Sequence, residues 1–183
     1  ETNALLEGHF ILSSGLHSDK YIQCAKLLSH PKKAGLICSS LAKEIKKNFQ
    51  QIDIILSPAI GGIVVGYEIG RQLDIQTIFA EREKGKLVLR RGFEIPKESN
   101  VLIVEDVITT GKSVLECSEI VKSYQSNLIG YSCIIDRSSE TSLIKDKIIS
   151  QLKLEINTFK YNELPDRLKK IKPIKPGSRN SDK

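Results

Sequence analysis

The residue types best suited to chemistry are two adjacent carboxylates followed by a hydroxyl-rich turn near the middle of the chain. Glu105 and Asp106 directly follow residues 101–104, whose unbroken hydrophobicity is typical of a parallel strand covered on both faces. A buried strand does not tolerate two ionisable groups without a function. Residues 109–113 then supply hydroxyls and closely spaced backbone N–H groups where a helix should begin, which suits an anion. Carboxylates for sugar hydroxyls beside amides for a phosphate predict a pocket for a ribose 5-phosphate.

Two other interpretations compete for this segment. A triphosphate-binding P-loop also joins a strand to a helix and ends in Gly-Lys-Ser, as residues 111–113 do. That loop requires a further upstream glycine, whereas the upstream residues here are Asp106, Val107 and Ile108, and carboxylates would repel a triphosphate. An ordinary strand–turn–helix with an acidic helix cap is the plainer interpretation, and the segment alone does not exclude it.

The composition is that of a globular protein with a full core. Of the 183 residues 40% are hydrophobic. The 28 basic and 22 acidic residues give a net charge of +6, which favours anionic partners, but they are spread along the chain and predict no nucleic-acid-binding stripe. The four isolated cysteines match neither a zinc site nor a redox pair and favour reduced, buried thiols in the cytoplasm. The sequence contains no apolar run long enough for a bilayer and no signal-peptide pattern, so no membrane partner is predicted.

Hydrophobic periodicity predicts strands alternating with helices. We expect helices at residues 31–49, 60–72 and 113–125, strands at 52–56, 75–80, 101–104 and 128–135, and a hairpin arm at 86–89. Residues 152–159 are a candidate for one more strand, and the Pro- and Lys-rich tail from residue 171 is expected to wrap the surface. The alternation predicts one α/β domain, residues 1–183, with an open parallel sheet and right-handed crossovers.

Four segments with functional residue types follow predicted strands, at the edge where open parallel sheets bind ligands. They are residues 57–62, 81–91, 105–113 and 136–137. The first places two glycines where a strand becomes a helix, so backbone N–H groups can approach an anion, although a tight turn needs glycine equally. The second leads into a flap loop (residues 82–92) with five cations and two glycines, which favours a mobile loop closing over an anion or, alternatively, a solvated hairpin.

Residues 104–113 resemble the phosphoribosyl-diphosphate (PRPP) motif of type I phosphoribosyltransferases, in which an apolar strand, two acids and a Thr/Ser/Gly-rich turn follow one another. The resemblance implies that family's α/β fold, an open parallel sheet flanked by helices, with a small hood from about residues 1–30 and 155–183. It implies loss of pyrophosphate from PRPP, with Glu105 and Asp106 on the ribose hydroxyls and residues 107–113 on the 5-phosphate. Mg²⁺ would be held chiefly by PRPP itself, with Glu105 and Asp106 as the candidate protein contacts.

The same resemblance assigns roles to the two glycine-containing segments. Residues 57–62 are similar to the family's pyrophosphate loop, although the lysine that some relatives carry near Gly61 is absent. The flap loop would stabilise the departing pyrophosphate and, as is common in this family, reach into the neighbouring subunit, which implies a homodimer. The predicted PRPP-binding residues are Ile60, Gly61, Gly62, Arg82, Glu105, Asp106, Val107, Ile108, Thr109, Thr110, Gly111, Lys112 and Ser113, and the predicted catalytic residues are Arg82, Lys84, Lys86 and Asp106.

Residues 8–23, 89–93 and 175–179 resemble segments of orotate phosphoribosyltransferases, so the likeness spans essentially the whole chain. It implies that orotate is the acceptor base. Arg137 could clamp the orotate carboxylate, unless it only pairs with the adjacent aspartate; Thr109 would bond the ring, and the backbone at Tyr21 and Ile22 would cover its edge. One departure is residues 164–167, Leu-Pro-Asp-Arg, where many members of one branch carry Cys-Pro-x-Cys.

Two other functions stay open at this point. A purine or uracil phosphoribosyltransferase would share the PRPP motif but should lack the terminal segments. An RNA-binding regulator on the same fold would explain the pI of 9.1 and predicts a contiguous basic face. The three histidines, His9, His17 and His30, are expected to be surface or packing residues, because attack by an orotate anion needs little proton transfer.

Overall fold

The computed structural model describes residues 2–12, 14–138, 142–144 and 146–176. The chain forms two compact units. The smaller takes the chain up to Leu27 and from Glu155 onward, and the larger spans Leu28–Leu154. Among the described residues, none of the helices combines the length and the apolar composition that a membrane crossing requires.

The elements alternate much as the periodicity predicts. In chain order they are β1 (Leu5–Ile11), β2 (His17–Ile22), α1 (Cys24–Leu28), α2 (Pro31–Asn48), β3 (Ile54–Pro58), α3 (Gly61–Leu73), β4 (Gln76–Glu83), β5 (Lys86–Leu89), β6 (Asn100–Ile108), α4 (Lys112–Ser123), β7 (Asn127–Asp136), β8 (Ile148–Lys153), β9 (Thr158–Phe159), a 3-10 turn (Tyr161–Glu163) and α5 (Asp166–Lys169).

The larger unit is built around a six-stranded sheet in the order β5-β4-β3-β6-β7-β8. All neighbours in it are parallel except β5, which returns antiparallel along β4. The connection from β3 to β4 and the connection from β6 to β7 leave in opposite directions, so right-handed crossovers place α3 and α4 on opposite faces. The order therefore reverses between β3 and β6, and a crevice forms beyond the carboxyl ends of these two strands.

Close packing of α3 on the sheet determines where that helix begins. Gly62, Gly66 and Gly70 recur every fourth residue and are buried. A methyl group on Gly66 would overlap the Ser57 hydroxyl beneath it. Because no side chain intervenes, the helix lies close to β3 and β4, and its N-terminus is brought down onto the carboxyl edge of the sheet.

Two predicted strands differ from the structure. The strand that begins the PRPP motif continues past residue 104, because Glu105 pairs with Cys133 and Ile108 with Asp136 in β7. The single strand predicted at residues 152–159 is not continuous: its first two residues end β8, and its last two form β9 in the other sheet. Most of β8 lies earlier, in a short and poorly alternating stretch that pairs with β7. An edge strand with a weak pattern of its own is defined by its neighbour, which periodicity cannot detect.

The smaller unit is a three-stranded sheet in the order β1-β2-β9. The tail lies along β1, where the Ile11 N–H donates to the Ile174 carbonyl at 2.8 Å. His9 and His17 are buried and share a hydrogen bond of 2.7 Å between their rings, which confirms them as packing residues. Residues 177–179 of the predicted closing motif lie outside the described residues.

Candidate active site

The two predicted carboxylates lie on opposite faces of β6, because successive side chains of a strand alternate. Asp106 faces the beginning of α3, where a methyl group added to Gly61 would lie 2.7 Å from Asp106 Oδ1. Glu105 faces α4, where its charge raises the pKa of the buried Cys117 thiol. The adjacent carboxylates therefore point to different sides of the strand, and it is Asp106 that borders the glycines after β3.

Burial disfavours the ionised form of both carboxylates. It raises the pKa of Glu105 to about 8, with the charge of Asp106 as a second cause. Burial also raises the pKa of Asp106, although hydrogen bonds from the backbone N–H groups of Val107 and of Asp106 itself oppose the shift. A bound cation or a sugar hydroxyl would favour the charged forms, so the site is electrostatically prepared for a ligand.

The raised pKa of Glu105 predicts a pH-dependent stability of the unliganded protein. Between the ordinary carboxyl pKa of 4.5 and about 8 the folded state binds more protons than the unfolded state. Stability from this group is therefore lost as pH rises through that window. At pH 5 we expect Glu105→Gln to have nearly the same melting temperature as the wild type. At pH 9 we expect its free energy of unfolding to be higher than that of the wild type by roughly 2–4 kcal/mol. Thermal melts at both pH values measure this. A stability difference between variant and wild type that is equal at the two pH values would contradict the prediction. Glu119→Gln, at an exposed position, is the control.

The turn between β6 and α4, here called the phosphate turn (residues 109–111), suits an anion. Thr109 and Thr110 are exposed, and Gly111 adopts a left-handed φ of 82°. A methyl group on Gly111 would lie 2.6 Å from Ile144 Cγ1, so glycine is required by conformation and by space. The first N–H groups of α4 have no intrahelical acceptor: that of Lys112 donates to Thr110 Oγ1 at 3.4 Å, and those of residues 113 and 114 are available to a phosphate. Ile108, predicted as part of this loop, is instead a fully buried strand residue.

The glycine turn (residues 59–62) faces the phosphate turn across the crevice between β3 and β6. The Ala59 N–H donates to the Ala80 carbonyl at 2.8 Å, which holds the turn against β4, and the Ala59–Ile60 peptide is cis. Ile60 is 85% exposed. A methyl group on Gly62 would lie 3.2 Å from the Val104 carbonyl oxygen. The close approach of the backbone to β6 therefore requires these glycines, and binding of an anion by this turn stays a prediction.

The flap loop begins as a tight hairpin. Lys84 and Gly85 connect β4 to β5 with φ values of 46° and 86°, the pattern of a two-residue hairpin turn with both positions left-handed. Lys84 and Lys86 are exposed, and neither forms an ion pair with any residue the structure describes. They are therefore the flap-loop cations most available to an incoming anion.

The arginines of the flap loop are engaged. The Arg82 guanidinium donates to the Glu116 carboxylate at 2.9 Å and 3.3 Å. The Arg91 guanidinium donates twice to Glu81, at 2.8 Å each. The sequence analysis missed Glu116, and also Ile144 behind the phosphate turn, because an acid on a helix face and an isolated apolar residue carry no local signal of a role.

The predicted base-binding residues divide between the two units. Arg137 follows β7, and its backbone N–H donates to the Ile108 carbonyl at 2.8 Å, which places it beside the phosphate turn and Thr109. The Asp136 carboxylate accepts the Ser138 N–H at 2.7 Å. Tyr21 and Ile22 lie on β2 of the smaller unit, and their approach to the other two residues stays a prediction.

An open sheet with a strand-order reversal, an acid at the reversal and a glycine-containing turn on either side form the kind of crevice in which open α/β folds bind ligands. The chain belongs to the phosphoribosyltransferase family: residues 25–165 match the family model of the phosphoribosyl transferase domain. The predicted fold class is thereby confirmed.

Individual relatives extend this comparison. The chain is 51% identical to the orotate phosphoribosyltransferase of Caldicellulosiruptor bescii over 179 residues, 98% of this chain and 93% of that protein. It resembles the crystal structure of orotate phosphoribosyltransferase from Aeropyrum pernix with a TM-score of 0.72 and 22% identity, over 84% of this chain and 89% of that one. Adenine phosphoribosyltransferase from Thermoanaerobacter pseudethanolicus has a TM-score of 0.63 and 18% identity, over 74% and 88%. Enzymes named for different bases share this fold, so the fold alone does not define the base.

Proposed function

We infer that this chain is an enzyme that transfers the 5-phosphoribosyl group of PRPP to orotate, giving orotidine 5′-monophosphate and pyrophosphate in pyrimidine biosynthesis. The identity of 51% over nearly the full length of a protein named orotate phosphoribosyltransferase carries this inference. The likeness extends through both terminal segments, which a purine or uracil enzyme should lack. The close approach of Asp106 to Gly61, between the two predicted PRPP-binding segments, supports binding of PRPP in this crevice.

The proposed mechanism relies on positioning and electrostatics, with no covalent nucleophile. Positive charge develops on the ribosyl carbon as pyrophosphate departs. Asp106 would bind a ribose hydroxyl and stabilise that charge, while the phosphate turn holds the 5-phosphate. The glycine turn and the flap-loop cations would neutralise pyrophosphate, and Arg137 with Thr109 would orient orotate for attack through its ring nitrogen.

We propose that Mg²⁺ enters with the diphosphate. The described residues contain no group of three or more His, Cys, Asp or Glu side chains that could hold a metal ion. The oxygen donors that are present fit a hard cation held mainly by phosphates and water, with Asp106 better placed than Glu105 because it borders the glycine turn. When bound, the ion would offset the negative charge of pyrophosphate.

We also propose a cytoplasmic homodimer with the flap loop shared between subunits: its tip at Lys84 serves the site of the partner, while Arg82 at its base stays with its own subunit. The exposed hairpin tip at Lys84, whose ammonium forms no ion pair with a described residue, supports a role for this loop beyond its own scaffold. The dispersed basic residues give no support to RNA binding.

The base assay tests the proposed function. The protein is incubated with PRPP, Mg²⁺ and, separately, orotate, uracil, adenine and hypoxanthine. The loss of orotate absorbance is followed for orotate, and the release of pyrophosphate is followed for every base. Turnover of orotate is expected. Turnover of another base with none of orotate would overturn the assignment, and salt-sensitive RNA binding without any turnover would favour the regulator.

Truncating Lys84 should separate catalysis from stability. We expect Lys84→Ala to lower kcat while the melting temperature stays nearly unchanged, because an exposed loop charge adds little to folding. Steady-state kinetics and thermal melts measure the two effects. Exposed Lys97→Ala, outside the flap loop, is the control and should change neither.

Mixing defective subunits would test whether the flap loop crosses between them. In a heterodimer of Asp106→Asn and Lys84→Ala chains, one site would collect both defects and the other neither. About half the sites of each mixed dimer should then work. Recovery no greater than the parents' average would show that each subunit supplies its own flap loop, or that this loop is not catalytic at all.

A further inference from the structure

Glu116 joins both arms of the flap-loop hairpin to the helix that follows the phosphate turn. It accepts two hydrogen bonds from Arg82 on β4, at 2.9 Å and 3.3 Å, and one from the Leu87 N–H on β5, at 3.2 Å. The Arg82 and Glu116 side chains are 36% and 26% exposed, so the pair is partly shielded from water. A fully exposed ion pair has no fixed orientation. The Glu116 carboxylate, in contrast, accepts three hydrogen bonds from two strands, which fix its orientation and that of Arg82.

The contacts of Arg82 leave one edge of its guanidinium available. Nη1 donates to the Gly85 carbonyl at 2.5 Å and to Glu116, and Nη2 donates to Glu116. A guanidinium has five N–H donors in a rigid fork. Nε–H and the second N–H of Nη2 have no acceptor among the described residues, and together they form the edge that binds a phosphate bidentately.

This arrangement lies at the carboxyl edge of the sheet. Ala80 of β4 pairs with Pro58, the last residue of β3, and Arg82 lies two residues further along β4. Arg82 pairs in turn with Leu87 of β5, whose N–H donates to Glu116. The charges of Glu105, Glu116 and Arg82 all shift the pKa of the buried Cys117 thiol, which agrees with this placement beside β6.

We propose that Glu116 is a positioning residue, which holds Arg82 so that the available edge of its guanidinium receives pyrophosphate. The inference rests on the proposed function and adds a residue to it. A donor held in place before the reaction stabilises developing charge without reorganisation, whereas a mobile arginine must first be ordered. Charge alone predicts the opposite outcome, because removing a carboxylate near an anion site should tighten anion binding.

Glu116→Gln tests the two views, since glutamine keeps the shape and can still accept the Leu87 N–H. Binding of Mg²⁺–pyrophosphate is measured by titration calorimetry, and the reverse reaction is followed with orotidine 5′-monophosphate. We expect pyrophosphate to bind about tenfold more weakly, less than the roughly 100-fold loss of a deleted donor. The KM for orotidine 5′-monophosphate and the melting temperature should be nearly unchanged. Glu119→Gln, an exposed acid on the same helix, is the matched control and should behave as wild type.

The same substitution in an Arg82→Ala background provides the decisive comparison. If Glu116 acts through Arg82, the double variant should bind pyrophosphate no more weakly than Arg82→Ala alone. Tighter binding by Glu116→Gln, additive losses in the double variant, or a uniform loss of all parameters with a lowered melting temperature would each overturn the proposal. Failure of the proposed function is distinct: the wild type would then bind pyrophosphate yet turn over no orotate.

Discussion

Replacing Asp106 with asparagine should lower kcat/KM by about two to three decades, comparable to losing one preorganised electrostatic contact. Asparagine keeps the shape of the side chain beside Gly61 but removes the charge that would face the ribosyl cation. Initial rates at varied PRPP and orotate measure the effect. The loss should appear mainly in kcat, because the contact strengthens as positive charge develops.

The stability of the same variant separates a catalytic role from a structural one. Burial raises the pKa of Asp106, so ionising it costs folding free energy, and asparagine removes that cost. We therefore expect the melting temperature at pH 8 to stay level or rise. A near-wild-type rate would mean that the charge of Asp106 is not needed for catalysis, and a loss of activity together with a lower melting temperature would point to damage to the fold.

Adding a methyl group at Gly61 should be nearly as damaging to activity. The new Cβ would lie 2.7 Å from Asp106 Oδ1 and 3.0 Å from its Cγ, so the glycine turn or the carboxylate must move. A displacement of about 1 Å at a reacting centre can cost on the order of 100-fold in rate. We expect Gly61→Ala to lower kcat/KM by about that factor, with a raised KM for PRPP, in the same kinetic assay.

Gly35→Ala is the matched control for this change. Gly35 lies within α2, where an added Cβ would lie 3.6 Å from Glu68 Oε1, an ordinary contact. Alanine is favoured over glycine inside a helix by about 1 kcal/mol, so this variant should keep full activity and melt at or above the wild-type temperature. Equal activity of the two variants would show that the approach of Gly61 to Asp106 is not important for catalysis.

Much of the larger unit follows from local patterns in the sequence. The 18-residue helix α2 is recognisable from apolar residues spaced by three and four, and the hairpin arm Lys86–Leu89 has the limits predicted. The acids and the glycine of the PRPP motif are also local, and they identify the crevice because ligands of open sheets bind beyond the strand ends. These features depend on residues near one another in the chain, so periodicity and spacing are sufficient to find them.

The roles within the crevice depend on contacts that the sequence does not contain locally. The sequence shows Glu105 and Asp106 only as neighbours, whereas their place within β6 puts their side chains on opposite faces of the strand. Glu116 binds Arg82, 34 residues away, and Ile144 packs behind Gly111, although neither carries a motif. By itself the sequence determined the order of the elements and the kind of ligand. The tertiary structure decided which side chains share a face and which are held by others, because those contacts form only when the sheet brings distant segments together.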